Sequence, residues 1–132
     1  MSNQISARIS GAILYSVILF QLALVFGAPW GEFTQGGQDS GTLGIAGRIL
    51  ALISAGALFL MGSAMFGLIR KGPFKNLRRE VIHKFAFVTV AYSGIGVIMN
   101  FASRSAGERM VWGPITLIGF LFSLHAYRTT RD

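Results

Sequence analysis

Long apolar blocks alternate with short polar links along the whole chain. Four blocks without Asp, Glu, Lys or Arg cover positions 9–28, 49–69, 85–103 and 110–127. A helix that crosses the hydrocarbon of a bilayer needs about 20 mostly apolar residues, with a range of about 17–25. Each block has that length, and none carries the polar face that a helix of a soluble bundle turns to water. The pattern predicts one all-α domain over residues 1–132, a bundle of four transmembrane helices.

Composition supports the membrane interpretation. Hydrophobic residues make up 52% of the chain and charged residues only 13%, against about 25% charged residues in an average soluble domain. A domain of 132 residues has a large surface for its volume, and this chain lacks the polar side chains to cover it. Cysteine is absent, which excludes disulfides, thiolate metal sites and haem attachment through cysteine. The sequence predicts no metal and no cofactor.

The first apolar block has an alternative interpretation as a secretory signal peptide, because Arg8 precedes it. The block is long for the apolar region of a signal peptide. Cleavage after Ala28 would also place Phe26 where the peptidase requires a small residue. We therefore expect the block to remain in the protein as a helix.

The link between the second and third blocks is strongly basic. Residues 70–84 contain one acid, Glu80, and six bases, Arg70, Lys71, Lys75, Arg78, Arg79 and Lys84. An excess of Lys and Arg marks the cytoplasmic loops of membrane proteins, and such a cluster beside membrane helices attracts anionic lipid head groups. We therefore interpret the net charge of +7 as a sign of contact with anionic lipid. The chain contains no nucleic-acid-binding motif that would favour the other interpretation.

The remaining links complete the predicted topology. Arg8 near one terminus, and Arg128 and Arg131 near the other, place both termini in the cytoplasm together with the basic link. The segment 26–48 has two acids and no basic residue before its last position. It is predicted to face outward, as is the short link 103–110.

The segment 26–48, FGAPWGEFTQGGQDSGTLGIAGR, contains seven glycines and is long for a link in a compact domain. Trp30 and Phe33 give it apolar side chains to bury, so we expect an ordered loop with both rings substantially buried. The Gly36-Gly37 pair permits a tight turn, and the segment can fold back as a small hairpin. It lacks the lysine and the preceding strand of a phosphate-binding loop.

Polar residues recur at spacings of three and four in the third block, at Thr89, Ser93, Gly96, Asn100 and Ser103. Positions with this spacing share one helix face, and a polar face in a membrane helix is expected to point into the bundle, where its groups find partners. If the helix continues past this stripe, Arg104 and Glu108 lie one turn apart and can pair. Pro114 then falls in the first turn of the fourth helix, where proline is tolerated.

The two outward segments bring charges and tryptophans to one membrane surface. The candidate site residues are Trp30, Glu32, Arg48, Asn100, Ser103, Arg104, Glu108, Arg109 and Trp112. One interpretation is purely structural: Glu108 or Glu32 pairs with one of the three arginines, because a partner lowers the cost of a charge at the edge of hydrocarbon. The other is a small outward-facing pocket whose arginines bind an anionic group, such as a lipid phosphate or a carboxylate.

The motifs GAPWGEFTQGG with Arg48, NFASRSAGER and VWGP resemble those of a family of small, uncharacterised four-helix bacterial membrane proteins, over most of the chain. The resemblance implies a bacterial origin and a multi-pass protein of the cytoplasmic (inner) membrane. It implies no activity, and no catalytic residue follows from it.

Three classes of function remain open: a binding or transport module, an accessory subunit of a larger membrane complex, and a membrane enzyme. No Asp, Glu, Lys or Arg lies inside an apolar block, which argues against an ion-coupled pump. An enzyme needs a nucleophile with a base, paired carboxylates or a metal, and the outward segments have three acids but no histidine or cysteine. The balance favours a non-enzymatic binding or transport module. Ser63 and Gly67, whose spacing lets helices approach closely, fit packing inside the bundle or a homo-oligomer.

Overall fold

The computed structural model describes residues 2–130 and is helical, without strands, over that part of the chain. The four long helices are α1 (Asn3–Val25), α2 (Ile45–Leu68), α3 (Arg79–Phe101) and α4 (Gly113–Thr129). A π-helical turn, Glu108–Trp112, runs directly into α4, and two 3-10 turns, Gly31–Phe33 and Gln35–Gly37, lie between α1 and α2. α1, α2, α3 and the continuous helix Glu108–Thr129, which combines the π-helical turn with α4, are long and apolar enough to cross a membrane. The predicted all-α architecture with four candidate spans is therefore confirmed.

The first three helices begin four to six residues before the uncharged blocks and end one to three residues before those blocks end, because backbone hydrogen bonding sets where a helix ends. α1 begins at Asn3, where the Ser2 hydroxyl accepts a hydrogen bond from the Ile5 N–H at 3.2 Å and caps the first turn. It ends at Val25, and Gly27 takes a φ of 104° just beyond, a conformation that commonly closes a helix.

The four helices form a ring in chain order. α1 packs against α2 and α4, α3 packs against the same two helices, and α2 and α4 lie diagonally opposite with little contact. Short links after α2 and α3 make the helices that they join antiparallel neighbours, whereas the link between α1 and α2 is longer. The tightest part of the core, with Met65, Leu68 and Ile82 almost completely buried, fills the half of the bundle near the link between α2 and α3.

Glycines allow α1 and α2 to approach each other closely. A Cβ added to Gly62 would lie 2.6 Å from the ring of Tyr15, and one added to Gly11 would lie 2.5 Å from the ring of Phe66. Each helix thus places an aromatic ring on a glycine of its neighbour. The hydroxyls of Tyr15 and Ser63 are hydrogen-bonded at 2.7 Å, which fixes the position of the tyrosine ring.

The pair α3 and α4 uses the same arrangement. A Cβ on Gly113 would lie 2.8 Å from the Phe101 ring, and one on Gly94 would lie 3.0 Å from the Phe120 ring. Pro114 follows in the first turn of α4, as predicted.

Hydrogen bonds between chain ends and helix ends tie one end of the bundle together. Ser6 Oγ in α1 is 2.7 Å from His125 Nδ1 in α4. His83 Nε2 in α3 donates to the carbonyl of Thr130, also at 2.7 Å. The beginning of α1, the end of α4 and the basic link before α3 therefore lie at the same end.

The bundle accordingly has two distinct ends. The basic end holds the 70–78 link and the described termini, and the glycine end holds residues 26–44 and the 102–107 link. Arg131, one of the residues used to predict the topology, lies outside the described residues. Which end faces the cytoplasm stays a prediction.

The contact between Gly62 and Tyr15 can be tested by adding one methyl group. We expect Gly62→Ala to lower the free energy of unfolding of the detergent-solubilised protein by about 1–3 kcal/mol, and with it the melting temperature. The tyrosine ring cannot move away from the added methyl group without losing its hydrogen bond to Ser63. The control is Gly56→Ala in the same helix, where an added Cβ meets nothing within 4 Å and the higher helix propensity of alanine acts alone. Equal melting temperatures for the two variants would contradict the role of this contact.

Candidate binding site at the glycine end

The loop between α1 and α2 folds back on itself over the helix ends. The Gly31 N–H donates to the Gly41 carbonyl at 2.9 Å, and a Cβ on Gly31 would lie only 1.8 Å from the carbonyl oxygen of Asp39. Leu43 is buried and packs with Leu24 of α1. Two 3-10 turns occupy the place of the predicted hairpin, and Gln35, Gly36 and Gly37 all have positive φ there.

The two aromatic side chains of the loop differ in burial. Trp30 is 44% exposed, so the prediction that it is substantially buried is wrong. One face of its ring stacks on Phe20 with the centroids 6.0 Å apart, and little packs against the rest of the side chain. Phe33 is half-buried and sits on Gly107, where a Cβ would lie 2.6 Å from its ring. The phenylalanine therefore joins the loop to the link between α3 and α4.

Glu108 is the central residue of the glycine end and is only 8% exposed. Its Oε1 accepts a hydrogen bond from the Gly36 N–H at 3.1 Å, and its Oε2 accepts one from the Ser103 hydroxyl. Gly36 has a φ of 73°, a conformation that costs glycine nothing and turns the N–H towards the carboxyl group. One buried side chain therefore connects the glycine-rich loop to the α3–α4 link.

The predicted ion pairs of the glycine end do not form. Within residues 2–130 the salt bridges are those of Glu80 with Arg78 and with Lys84, at the basic end. α3 ends at Phe101, so the helix that would have placed Arg104 one turn from Glu108 does not continue. The carboxyl group is satisfied by a backbone amide and a hydroxyl instead of a guanidinium.

Two serines support the position of Glu108. The Ser105 hydroxyl accepts a hydrogen bond from the Glu108 N–H at 3.2 Å and donates to the carbonyl of Glu32. The Ser103 hydroxyl accepts one from the Ser105 N–H at 3.0 Å. The spacing Ser105-x-x-Glu108 is the sequence signature of a helix capping box, in which the glutamate side chain accepts a hydrogen bond from the backbone N–H of the serine. Here the Ser105 N–H donates to the Ser103 hydroxyl instead, and that hydroxyl donates to Glu108. The Ser-x-x-Glu spacing is the feature of the sequence from which the fold of this link could have been predicted.

A cavity of about 180 Å³ lies beneath the loop, with walls from all four helices. Of the predicted candidates, Asn100, Glu108 and Trp112 line it. Ser93 and Gly96 of the polar stripe on α3 also line it, so this stripe does face the bundle interior. Sequence reasoning did not assign to the site the further polar lining residues Gln21, Thr34, Ser54, Tyr92 and Thr116. In the sequence, nothing distinguishes these residues as site residues except a polar side chain in or near an apolar block.

A carboxyl group, two side-chain amides and several hydroxyls line the cavity, so it offers both hydrogen-bond acceptors and donors. Trp112 Nε1 already donates to the Phe33 carbonyl at 2.7 Å, and Asn100 Nδ2 donates to the Gly96 carbonyl at 2.8 Å. The Asn100 amide therefore offers its oxygen to the cavity. The Glu108 oxygens accept one hydrogen bond each and have capacity for more. Among residues 2–130, no basic side chain lines the cavity.

The other candidates lie outside the cavity. Arg48 donates from Nε to the Leu43 carbonyl at 3.0 Å and so holds the end of the loop. The Arg109 guanidinium donates to the Ser103 carbonyl. Arg104 and the side chain of Glu32 are exposed. The structure therefore places the arginines around the site rather than inside it.

The hydrogen bonds of Glu108 predict a large effect of its removal on stability. Glu108→Ala removes the acceptor of the exposed Gly36 N–H and of the half-buried Ser103 hydroxyl, and each hydrogen bond lost costs about 0.5–1.5 kcal/mol. We expect a lower melting temperature in detergent and faster proteolysis within residues 28–44. The matched control is Glu32→Ala, whose side chain is exposed and whose loss should change stability by less than about 0.5 kcal/mol. Equal stability and equal cleavage rates for the two variants would contradict this role of Glu108.

In comparisons with protein-family models, curated proteins and solved structures, none matched this chain.

Proposed function

We propose that the protein is a non-enzymatic membrane module that binds a small ligand or a lipid head group in the cavity at its glycine end. The observation that carries the proposal is the cavity itself, which lies between four helices beneath a loop held by Glu108. Ligand sites are typically concave and mainly apolar, with a few polar groups that fix orientation. Leu14, Val17 and Leu58 provide the apolar wall, and the groups around Glu108 provide the polar end.

The size of the cavity favours a small bound group. Sites for drug-sized molecules usually measure about 300–1,000 Å³, and this cavity is about 180 Å³. A head group of a few non-hydrogen atoms fits such a space, whereas an entire phospholipid does not. The remainder of a larger ligand would have to lie outside the cavity.

An anionic ligand would be bound elsewhere on the glycine end. Arg104 is exposed and makes no hydrogen bond within the described residues, and Arg109 is also exposed. These two guanidinium groups are available to lipid phosphates at the membrane surface. The basic link at the other end offers a second place for anionic lipid. Neither contact requires the cavity.

The proposed binding can be tested by filling the cavity with a side chain. Gly96 lines the cavity, and a Cβ built on it meets nothing within 4 Å. We expect Gly96→Leu to lose a ligand that co-purifies with the unmodified protein, measured by native mass spectrometry after gentle extraction. Gly56→Leu is the control, because Gly56 is exposed and equally uncrowded. The proposal is wrong if both variants carry the same bound molecules as the unmodified protein. A second protein chain retained by both would favour the accessory-subunit alternative.

We further propose that the glycine end faces outward and the basic end faces the cytoplasm of a bacterial inner membrane, as the distribution of basic residues predicts. The chain has no cysteine, so in a single-cysteine variant any maleimide label must be on the introduced residue and reports which side of the membrane that residue faces. On intact cells, a membrane-impermeant maleimide should label Ser40→Cys in the exposed part of the glycine-rich loop. It should label Asn76→Cys in the basic link only after the cells are permeabilised. Labelling of the two positions in the opposite order would reverse the proposed topology.

A further inference from the structure

An apolar groove runs along the outside of the bundle between α1 and α4. Positions 9–17 of α1 and 112–118 of α4 line it. Nine residues of helix span about 12–14 Å at 1.5 Å per residue, a length comparable to a medium-length hydrocarbon chain. Both walls belong to helices that are long and apolar enough to cross a membrane, so the groove is open to whatever fills the bilayer.

The groove and the cavity are adjacent spaces. Ile13, Val17, Trp112 and Ile115 line both of them. The boundary between the groove and the cavity is therefore a single layer of side chains. A molecule with its chain in the groove and its head in the cavity would pass through this layer alone.

The polar end of the cavity selects the chemistry of such a head group. The carboxyl group of Glu108 and the amide oxygen of Asn100 accept hydrogen bonds, whereas the Gln21 amide and the lining hydroxyls can also donate them. Within residues 2–130 no basic side chain lines the cavity to balance a second negative charge beside Glu108. A hydroxyl or an ammonium group can donate to these acceptors. A phosphate or carboxylate head would bring further acceptors next to a carboxyl group, which is unfavourable without a compensating cation.

We infer that the cavity and the groove together form a site for a single-chain membrane amphiphile with a hydrogen-bond-donating, non-anionic head group. This inference rests on the proposed function and adds the ligand class to it. The chain lies between α1 and α4, and the head donates to Glu108 at the glycine end.

The experiment uses a long-chain primary alcohol that carries a photoreactive diazirine in its chain, with the protein in lipid nanodiscs. After illumination, mass spectrometry locates the cross-linked residues. We expect the cross-links on residues of α1 and α4 that line the groove, such as Ile9 and Ile118. Cross-links spread evenly over the exposed apolar side chains of α2 and α3 would overturn the inference, and this measurement needs no variant.

Two substitutions then test the groove directly. Ala12 is exposed and lines the groove, so Ala12→Phe should reduce cross-linking on α1 and α4 by at least about fivefold. Ala91→Phe, at an exposed position of α3, should leave it unchanged. If Gly96→Leu removes the co-purified ligand while Ala12→Phe leaves the cross-linking unchanged, the proposed function stands and the inference about the groove is wrong. If neither substitution has an effect, both fail.

Competition among three unlabelled molecules of equal chain length tests the head group. We expect the alcohol to compete with the probe at least about fivefold better than its methyl ether, because one net hydrogen bond to the site changes an affinity by roughly that factor. We expect the corresponding fatty acid to compete more weakly than the alcohol. A fatty acid that competes as well as the alcohol would overturn the assignment of a non-anionic head.

Discussion

The close approach of helices at glycine positions is the constraint on which the rest of the structure depends. In a bilayer the hydrocarbon around a helix is as apolar as the side chains, so burial of apolar surface gives little drive for helices to associate. Association depends on van der Waals contact, and a ring that lies on a glycine provides much of it. The pairs Gly11–Phe66 and Gly62–Tyr15 fix α1 against α2, and the hydrogen bond between the hydroxyls of Tyr15 and Ser63 adds a polar contact between the same helices.

The glycine end is organised differently, because a single carboxyl group holds it together. Gly36 and Glu108 are 72 positions apart in the chain and are joined by one hydrogen bond. Ser103 and Ser105 extend this connection into a short network that includes the Glu32 carbonyl. The loop thereby becomes a wall of the cavity instead of a free link. The larger cluster of buried apolar side chains lies towards the basic end, and the cavity lies beside the polar network of the glycine end.

This division between the two ends suits the proposed function. A cavity needs neighbouring helices that do not close on each other, and polar residues on their facing surfaces keep such a space accessible to a polar group. Ser54, Ser93 and Gln21 line the cavity and make no hydrogen bond within the described part of the chain. The arginines fix the loop end, support the α3–α4 link or face outward from the bundle. Because these arginines lie outside the cavity, any contact that they make with anionic lipid at the surface is separate from the proposed ligand binding inside it.

The sequence by itself determined the number of helices and the inward face of α3. A segment that crosses the hydrocarbon core has no water around it and must form its backbone hydrogen bonds within the segment. Four apolar blocks of the right length therefore predict four helices. The spacing of Ser93, Gly96 and Asn100 likewise follows from helix geometry alone. Only the tertiary structure decided the partner of Glu108 and the exposure of Trp30. From the sequence, the positive charges of the arginines made them the expected partners of a carboxyl group. The partner that forms includes a backbone N–H, which every residue except proline carries, and its direction depends on how the loop folds over the helices.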